Sequence, residues 1–172
     1  MSPVSSLDAL YQQVILDHAR ERHGYGPAGP GDPAPAGEPA AVAESRQVNP
    51  LCGDEVTVAV RVAAADAGAV VAGLSWTGEG CSISQAATSV LHDLVVGRPV
   101  DDARRVVAGY REMIRSRGTG TPDEQLLGDA AAFAGVGRHA NRVKCAMLGW
   151  TAFEDALSRA ERPGEDHDGG AR

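Results

Sequence analysis

Between Asn49 and Asp54 the chain sets a cysteine and an aspartate on either side of a glycine, immediately ahead of a run in which valine recurs at every second position. Val56, Val58, Val60 and Val62 alternate with Glu55, Thr57, Ala59 and Arg61, the two-residue period of a strand with one buried face. Gly53 frees the backbone to turn just before that strand, so the soft thiolate of Cys52 and the hard carboxylate of Asp54 can face one point. Two further cysteines, Cys81 and Cys145, each open a segment with helical periodicity. Three thiols and one carboxylate make a tetrahedral metal set. The spacings match no compact CxxC knuckle, and a lone buried cysteine is often a small hydrophobe. Placement carries the reading instead: each cysteine sits where a turn meets a regular element, and loop tips and helix starts can converge.

At 172 residues, 43% apolar with 4% aromatic, the chain suits a single domain over 1–172 with an Ala- and Val-packed core. A formal net charge of -7 argues against a nucleic-acid surface, because phosphate binding needs clustered Lys and Arg. The sequence has no long apolar run and no basic-then-apolar amino terminus, so no membrane partner and a cytoplasmic location are expected. In a reducing compartment three cysteines do not build a disulfide framework, which leaves metal binding or thiol chemistry.

Ser5 or Ser6 can cap a first helix whose stripe is Leu7, Leu10, Tyr11, Val14, Ile15 and His18, a core or docking face. His18 and His23, near its end, complement the helix dipole. Five prolines and five glycines between Gly24 and Ala41 read as a loop. After the valine strand, a turn at 65–68 leads into a second strand from Val70 to Thr77, an antiparallel hairpin. Gly78-Glu79-Gly80 stops it and delivers Cys81 to the start of a helix carrying Ala87, Val90, Leu91, Leu94 and Val95, closed by Gly97 and Pro99. Asp101 is expected to cap a third helix with Ala103, Val106, Val107, Tyr110 and Ile114. The stretch 118–137 should hold one short helix, and the last helix, about 141–160, shows Val143, Met147, Trp150 and Leu157 on one face. A tail at 163–172 follows.

Cys145 falls in the first turns of that last helix, where free N–H groups and the dipole favour a thiolate. Arg142 stands three residues earlier and Lys144, the only lysine in the chain, directly before it. Beside a cluster of anionic ligands such cations offset excess charge and tune ligand basicity.

Cys52-Gly53-Asp54 ahead of the Val-rich strand, Gly78-Glu79-Gly80-Cys81-Ser82-Ile83-Ser84 and Arg142-Val143-Lys144-Cys145-Ala146, with the helix from Leu10-Tyr11 to His18, resemble the SufU branch of the IscU/NifU-like iron-sulfur cluster assembly proteins. The likeness runs on to Leu157. It implies an α+β fold, a small antiparallel sheet with helices packed on one face, and one metal site at an edge. It further implies zinc held by Cys52, Asp54, Cys81 and Cys145. Cys52 is then also the acceptor of persulfide sulfur from a SufS-type cysteine desulfurase, and Arg142 lies at the edge of the site. Such a chain stimulates the desulfurase and serves downstream iron-sulfur assembly components rather than acting as an enzyme by itself. In the scaffold branch a His usually precedes the last Cys, whereas Lys144 stands here, and the segment between Arg98 and Arg138 is likewise SufU-like. The alternative is a scaffold that builds and transfers a [2Fe-2S] cluster, with the same residues as iron ligands. A thiol hydrolase pairing a Cys with His139 or His92 has no local nucleophile signature. Four protein ligands close a tetrahedral zinc and mask every thiolate; Cys52, on its glycine-flanked loop, is the ligand most readily released.

Overall fold

The computed structural model describes residues 6–27, 41–66 and 68–162. Residues 28–40 of the expected loop and all of the expected tail at 163–172 lie outside the described residues. The elements in chain order are helix α1 (Ser6–Glu21), strands β1 (Ala41–Val48), β2 (Glu55–Ala65) and β3 (Gly68–Glu79), and helices α2 (Ser82–Val95), α3 (Val100–Arg115) and α4 (Glu124–Leu127). A 3-10 helix (Gly128–Arg138) and α5 (Ala140–Ala160) complete the order.

The strands form an antiparallel sheet in the order β1-β2-β3, the α+β arrangement expected. Alternation explains the central strand: Val56, Val58, Val60 and Val62 are all buried, and Val71, Leu74 and Trp76 of β3 join them. Each such side chain contributes about 1.5–3 kcal/mol relative to leaving it in water. β2 and β3 form the hairpin expected, with Ala65 paired to Gly68; Ala67 of the expected turn lies outside the described residues. β1 was not expected. Its sequence carries Glu44, Ser45, Arg46 and Gln47 in a row, and Ser45 is its buried residue. It is an edge strand held by its ladder to β2, from Ala41 opposite Val62 to Val48 opposite Glu55, so it needs no apolar alternation.

The helices supply the rest of the core. α5 lies against β1 and β2, α2 against α5, and α1 against α2. Tyr11, Val14 and Ile15 of α1 pack on the core and His18 is buried, while Leu7 and Leu10 of the expected stripe are exposed, as is Leu16. Pro99, not Asp101, takes the cap position of α3; Asp101 and Asp102 fall in its first turn, where carboxylates still suit the helix dipole. The stretch 118–137 holds more than the single short helix expected: Asp123 caps α4 by accepting the Leu126 N–H at 3.1 Å, and the 3-10 helix follows directly. Trp150 stacks on Tyr110 (centroids 3.7 Å apart, planes at 9°) and donates its indole N–H to the Ala87 carbonyl at 3.0 Å. Trp76 donates its own to the carbonyl of His23 at 2.7 Å, tying the segment after α1 to the sheet.

One consequence of the register sets the functional edge. Glu55 at the start of β2 pairs with Glu79 at the end of β3, so the turn before β2 and the start of α2 meet at the same end of the sheet.

Candidate metal centre

The turn before β2 is built by Asn49. Its N–H donates to the Asp54 carbonyl at 2.8 Å, its carbonyl accepts the Gly53 N–H at 2.8 Å, and its side-chain oxygen accepts the Leu51 N–H at 3.1 Å. Gly53 sits at φ +75°, a conformation that costs glycine nothing. Cys52 is left exposed and Asp54 buried. From the other side comes the start of α2, where Cys81 occupies the cap position. Gly80 lets the two meet: a Cβ there would lie 2.4 Å from Ser84 Oγ and 3.0 Å from Asp54 Cγ. The Cys81 N–H, one of the unpaired donors at the helix start, reaches Asp54 Oδ2 at 3.3 Å. Cys145 arrives from the second turn of α5, buried, with the Asn49 side-chain N–H 3.9 Å from its sulfur.

The ligand atoms of Cys52, Asp54 and Cys145 lie within 4.8 Å of one another. The Cys52 and Cys145 sulfurs are 3.9 Å apart, close to the separation of about 3.8 Å that tetrahedral Zn–S bonds of about 2.3 Å give two thiolates. Cys81 stands outside that group of three: its N–H reaches Asp54, and its sulfur lies 3.9 Å from Ser84 Oγ. The donor set therefore fits a divalent, thiophilic ion.

Electrostatics support the fit. Burial alone would raise the Asp54 carboxyl, but the Cys81 N–H and the thiols of Cys81, Cys145 and Cys52 outweigh it and hold Asp54 below its ordinary value. Burial pushes the Cys145 thiol far up, and hydrogen bonds with Cys81, Asp54 and Cys52 push the same way. Without a cation, loss of water and the neighbouring acidic groups thus work against the thiolate that the start of α5 favours by about 1 kcal/mol. A bound cation reverses that balance, because a coordinating thiol is deprotonated outright.

Of the two nearby cations, Arg142 lines a groove with Ser82 and Ile83, the residues directly after Cys81, together with Tyr11, Ile15 and His139. Lys144 lines a cavity with Ile114, Arg117 and Arg138.

A family model described as the NifU-like N-terminal domain matches residues 10–146. The chain belongs to that family. Among relatives, the zinc-dependent sulfurtransferase SufU of Bacillus subtilis is 30% identical, the alignment covering 94% of this chain and 98% of the relative. The iron-sulfur cluster assembly scaffold protein IscU of Streptococcus pyogenes is 29% identical over 91% of this chain and 88% of its own. The fold also matches the crystal structure of a nitrogen-fixing NifU-like protein (N-terminal) from Brucella abortus, with a TM-score of 0.71 at 24% identity over 92% and 99% of the two chains. In this NifU-like chain no described helix is long and apolar enough to cross a membrane.

Of Cys52, Asp54, Cys81 and Cys145, the residues singled out by the sequence, the fold brings the ligand atoms of Cys52, Asp54 and Cys145 together and sets the backbone N–H of Cys81 on Asp54. Sequence reasoning missed Asn49, whose side chain both closes the turn and touches Cys145, and Ser84, which donates to the Cys81 carbonyl at 3.0 Å. Asn ahead of a Pro-x-Cys-Gly stretch is a turn signal that spacing arguments about cysteines pass over.

Proposed function

We propose that this NifU-like protein is a zinc-dependent sulfur acceptor in iron-sulfur cluster assembly, with Cys52, Asp54, Cys81 and Cys145 as the metal ligands. The observation that carries the reading is the convergence of Cys52, Asp54 and Cys145 within 4.8 Å from two separate elements, with the Cys81 N–H on the same carboxylate. The name of the B. subtilis relative supports it. Zinc, when bound, supplies the positive charge that keeps these thiols deprotonated at neutral pH.

Cys52 is the thiol placed to react. Cys52 and Cys81 are both exposed and Cys145 is buried, but Cys81 begins a helix whereas Cys52 lies on a turn beside Gly53. The Cys52 thiolate attacks the outer sulfur of the persulfide on a SufS-type cysteine desulfurase. An S–S bond forms at Cys52, the S–S bond at the desulfurase breaks, and the desulfurase cysteine leaves as a thiolate, with no net oxidation. Arg142 lends positive charge at the edge of the site. Exposed Leu51, beside Cys52, and exposed Leu10 and Leu16 on α1 offer apolar contact to a protein partner.

Incubation with desulfurase and cysteine, followed by mass spectrometry, tests the assignment. One added sulfur is expected on Cys52 of the parent, and none on Cys52→Ser, which should still bind metal because water can complete a three-ligand zinc. Sulfur on Cys81 or Cys145 of that variant assigns the acceptor elsewhere. The scaffold named for the S. pyogenes relative is the second reading. Iron, sulfide and visible charge-transfer bands in protein purified without oxygen would establish it.

A further inference from the structure

Away from the thiols, His18 of α1, His23 in the turn after α1 and Asp93 of α2 bring their ligand atoms within 4.8 Å of one another. A helix dipole does not account for this placement, since Asp93 comes from 70 residues beyond His23. His18 has one nitrogen held by a carboxylate, and His23 has a carboxylate on each nitrogen. His18 Nε2 lies 3.1 Å from Asp129 Oδ2, and His23 Nε2 lies 2.8 Å from Glu21 Oε2. On His18 a carboxylate in that position fixes the tautomer, orients the ring and makes the opposite nitrogen a better donor, which is the surrounding that metal-ligating histidines have; on His23 Glu21 does the same once a cation takes the place of the proton shared with Asp93.

The opposite nitrogens both turn toward α2. His18 Nδ1 is 2.8 Å from Ser89 Oγ and His23 Nδ1 is 2.6 Å from Asp93 Oδ2. The frame around them is fixed: His18 is 5% exposed, the His23 N–H donates to Ser89 Oγ at 2.9 Å, and the His23 carbonyl accepts from Trp76. The His23 side chain is 36% exposed, which leaves a side open to water. Asp129, Glu21 and Asp93 surround the two imidazoles, and the other oxygen of Asp93 lies 3.1 Å from His92 Nδ1; a divalent cation in place of the proton between His23 and Asp93 would offset these carboxylates.

We propose that His18, His23 and Asp93 form a second metal site, of nitrogen and oxygen donors, that takes a divalent transition ion and ties α1 to α2. Two imidazoles and one carboxylate suit zinc, cobalt(II), nickel(II) or iron(II) rather than magnesium or calcium. The site is independent of whatever the thiol-rich edge holds.

The test uses the full chain, first loaded with one equivalent of zinc and then dialysed against cobalt(II), with bound metal counted per chain and the cobalt spectrum recorded. The parent should take up one further equivalent, with ligand-field bands of an N/O site and no thiolate charge transfer. His23→Gln and Asp93→Asn should lose that equivalent and keep the zinc. Asp129→Asn changes a side chain 62% exposed, so the fold survives it, and cobalt affinity should fall about 10–100-fold, as when the orienting partner of a ligand is removed. No second equivalent in the parent, or an affinity unmoved by both Asp129→Asn and His23→Gln, overturns the proposal.

Discussion

Gly80→Ala tests whether the candidate centre depends on how closely the start of α2 approaches the turn before β2. The added methyl group would sit 2.4 Å from Ser84 Oγ, 3.0 Å from Asp54 Cγ and 3.2 Å from Asp54 Oδ2. Ser84 can rotate away, at the loss of its hydrogen bond to the Cys81 carbonyl. Asp54 has less freedom, since it is buried and receives the Cys81 N–H at 3.3 Å. Overpacking of this kind costs about 1–3 kcal/mol, or about 2–12 °C in melting temperature for a chain of this size. Displacing the carboxylate should also weaken zinc binding by about tenfold, equivalent to about 1.4 kcal/mol. Gly135→Ala is the control, because a Cβ there meets nothing within 4 Å, and it should leave both quantities within about 0.5 kcal/mol of the parent. The assays are a thermal melt and competition for zinc with a chromophoric chelator. A Gly80→Ala protein that melts and binds zinc like the parent would refute the claim that this close approach positions Asp54.

Zinc removal by a chelator should lower the melting temperature markedly, as should Cys81→Ser or Cys145→Ser, because a structural zinc supplies on the order of 10 kcal/mol; superimposable melts with and without metal argue against a shared site. Asp54→Asn keeps the shape of the side chain and removes its charge, so zinc affinity and sulfur acceptance should fall while far-ultraviolet circular dichroism stays unchanged; parent-like zinc content and transfer rate would make Asp54 a turn residue only. The Tyr11 phenol is pushed up to about 12, first by burial and then by donating to Glu124 Oε1 at 2.7 Å. The folded chain thus holds that proton more tightly than the unfolded one, so stability is untouched below its ordinary value of 10.0 and falls by about 1–2 kcal/mol as pH rises from there toward 12. Denaturant melts across that range should show the slope, and Tyr11→Phe should flatten it.

What the sequence disclosed follows from which interactions are local. The valine alternation of β2, the stop at Gly97 and the turn at Gly53 are each dictated within a few residues, and each stands where it was expected. β1 escaped because an edge strand is held by bonds to its neighbour, so its polar run carries no periodic signal. The pairing of Asp101 with a cap failed because Pro99 already fixes the entry to α3. At the site, the residue types were legible in three short motifs, but the burial of Cys145 was not: it comes from neighbours in distant parts of the chain. The partners of His18 and His23 were not legible either, since Asp129 and Asp93 reach them only through the packing of the 3-10 helix and α2 on α1.

The two tryptophans divide the molecule between them optically. Trp150 lies flat on Tyr110 in the middle of the core, so its emission follows global unfolding. Trp76 is joined through its indole N–H to the carbonyl of His23 and meets the Tyr25 ring edge-on at 4.9 Å, so its emission follows whether the segment after α1 is seated. With one tryptophan at a time replaced by phenylalanine, the wild-type sequence provides two intrinsic fluorophores without any attached dye. Comparing their transitions during denaturation would distinguish detachment of the amino-terminal helix from collapse of the whole domain.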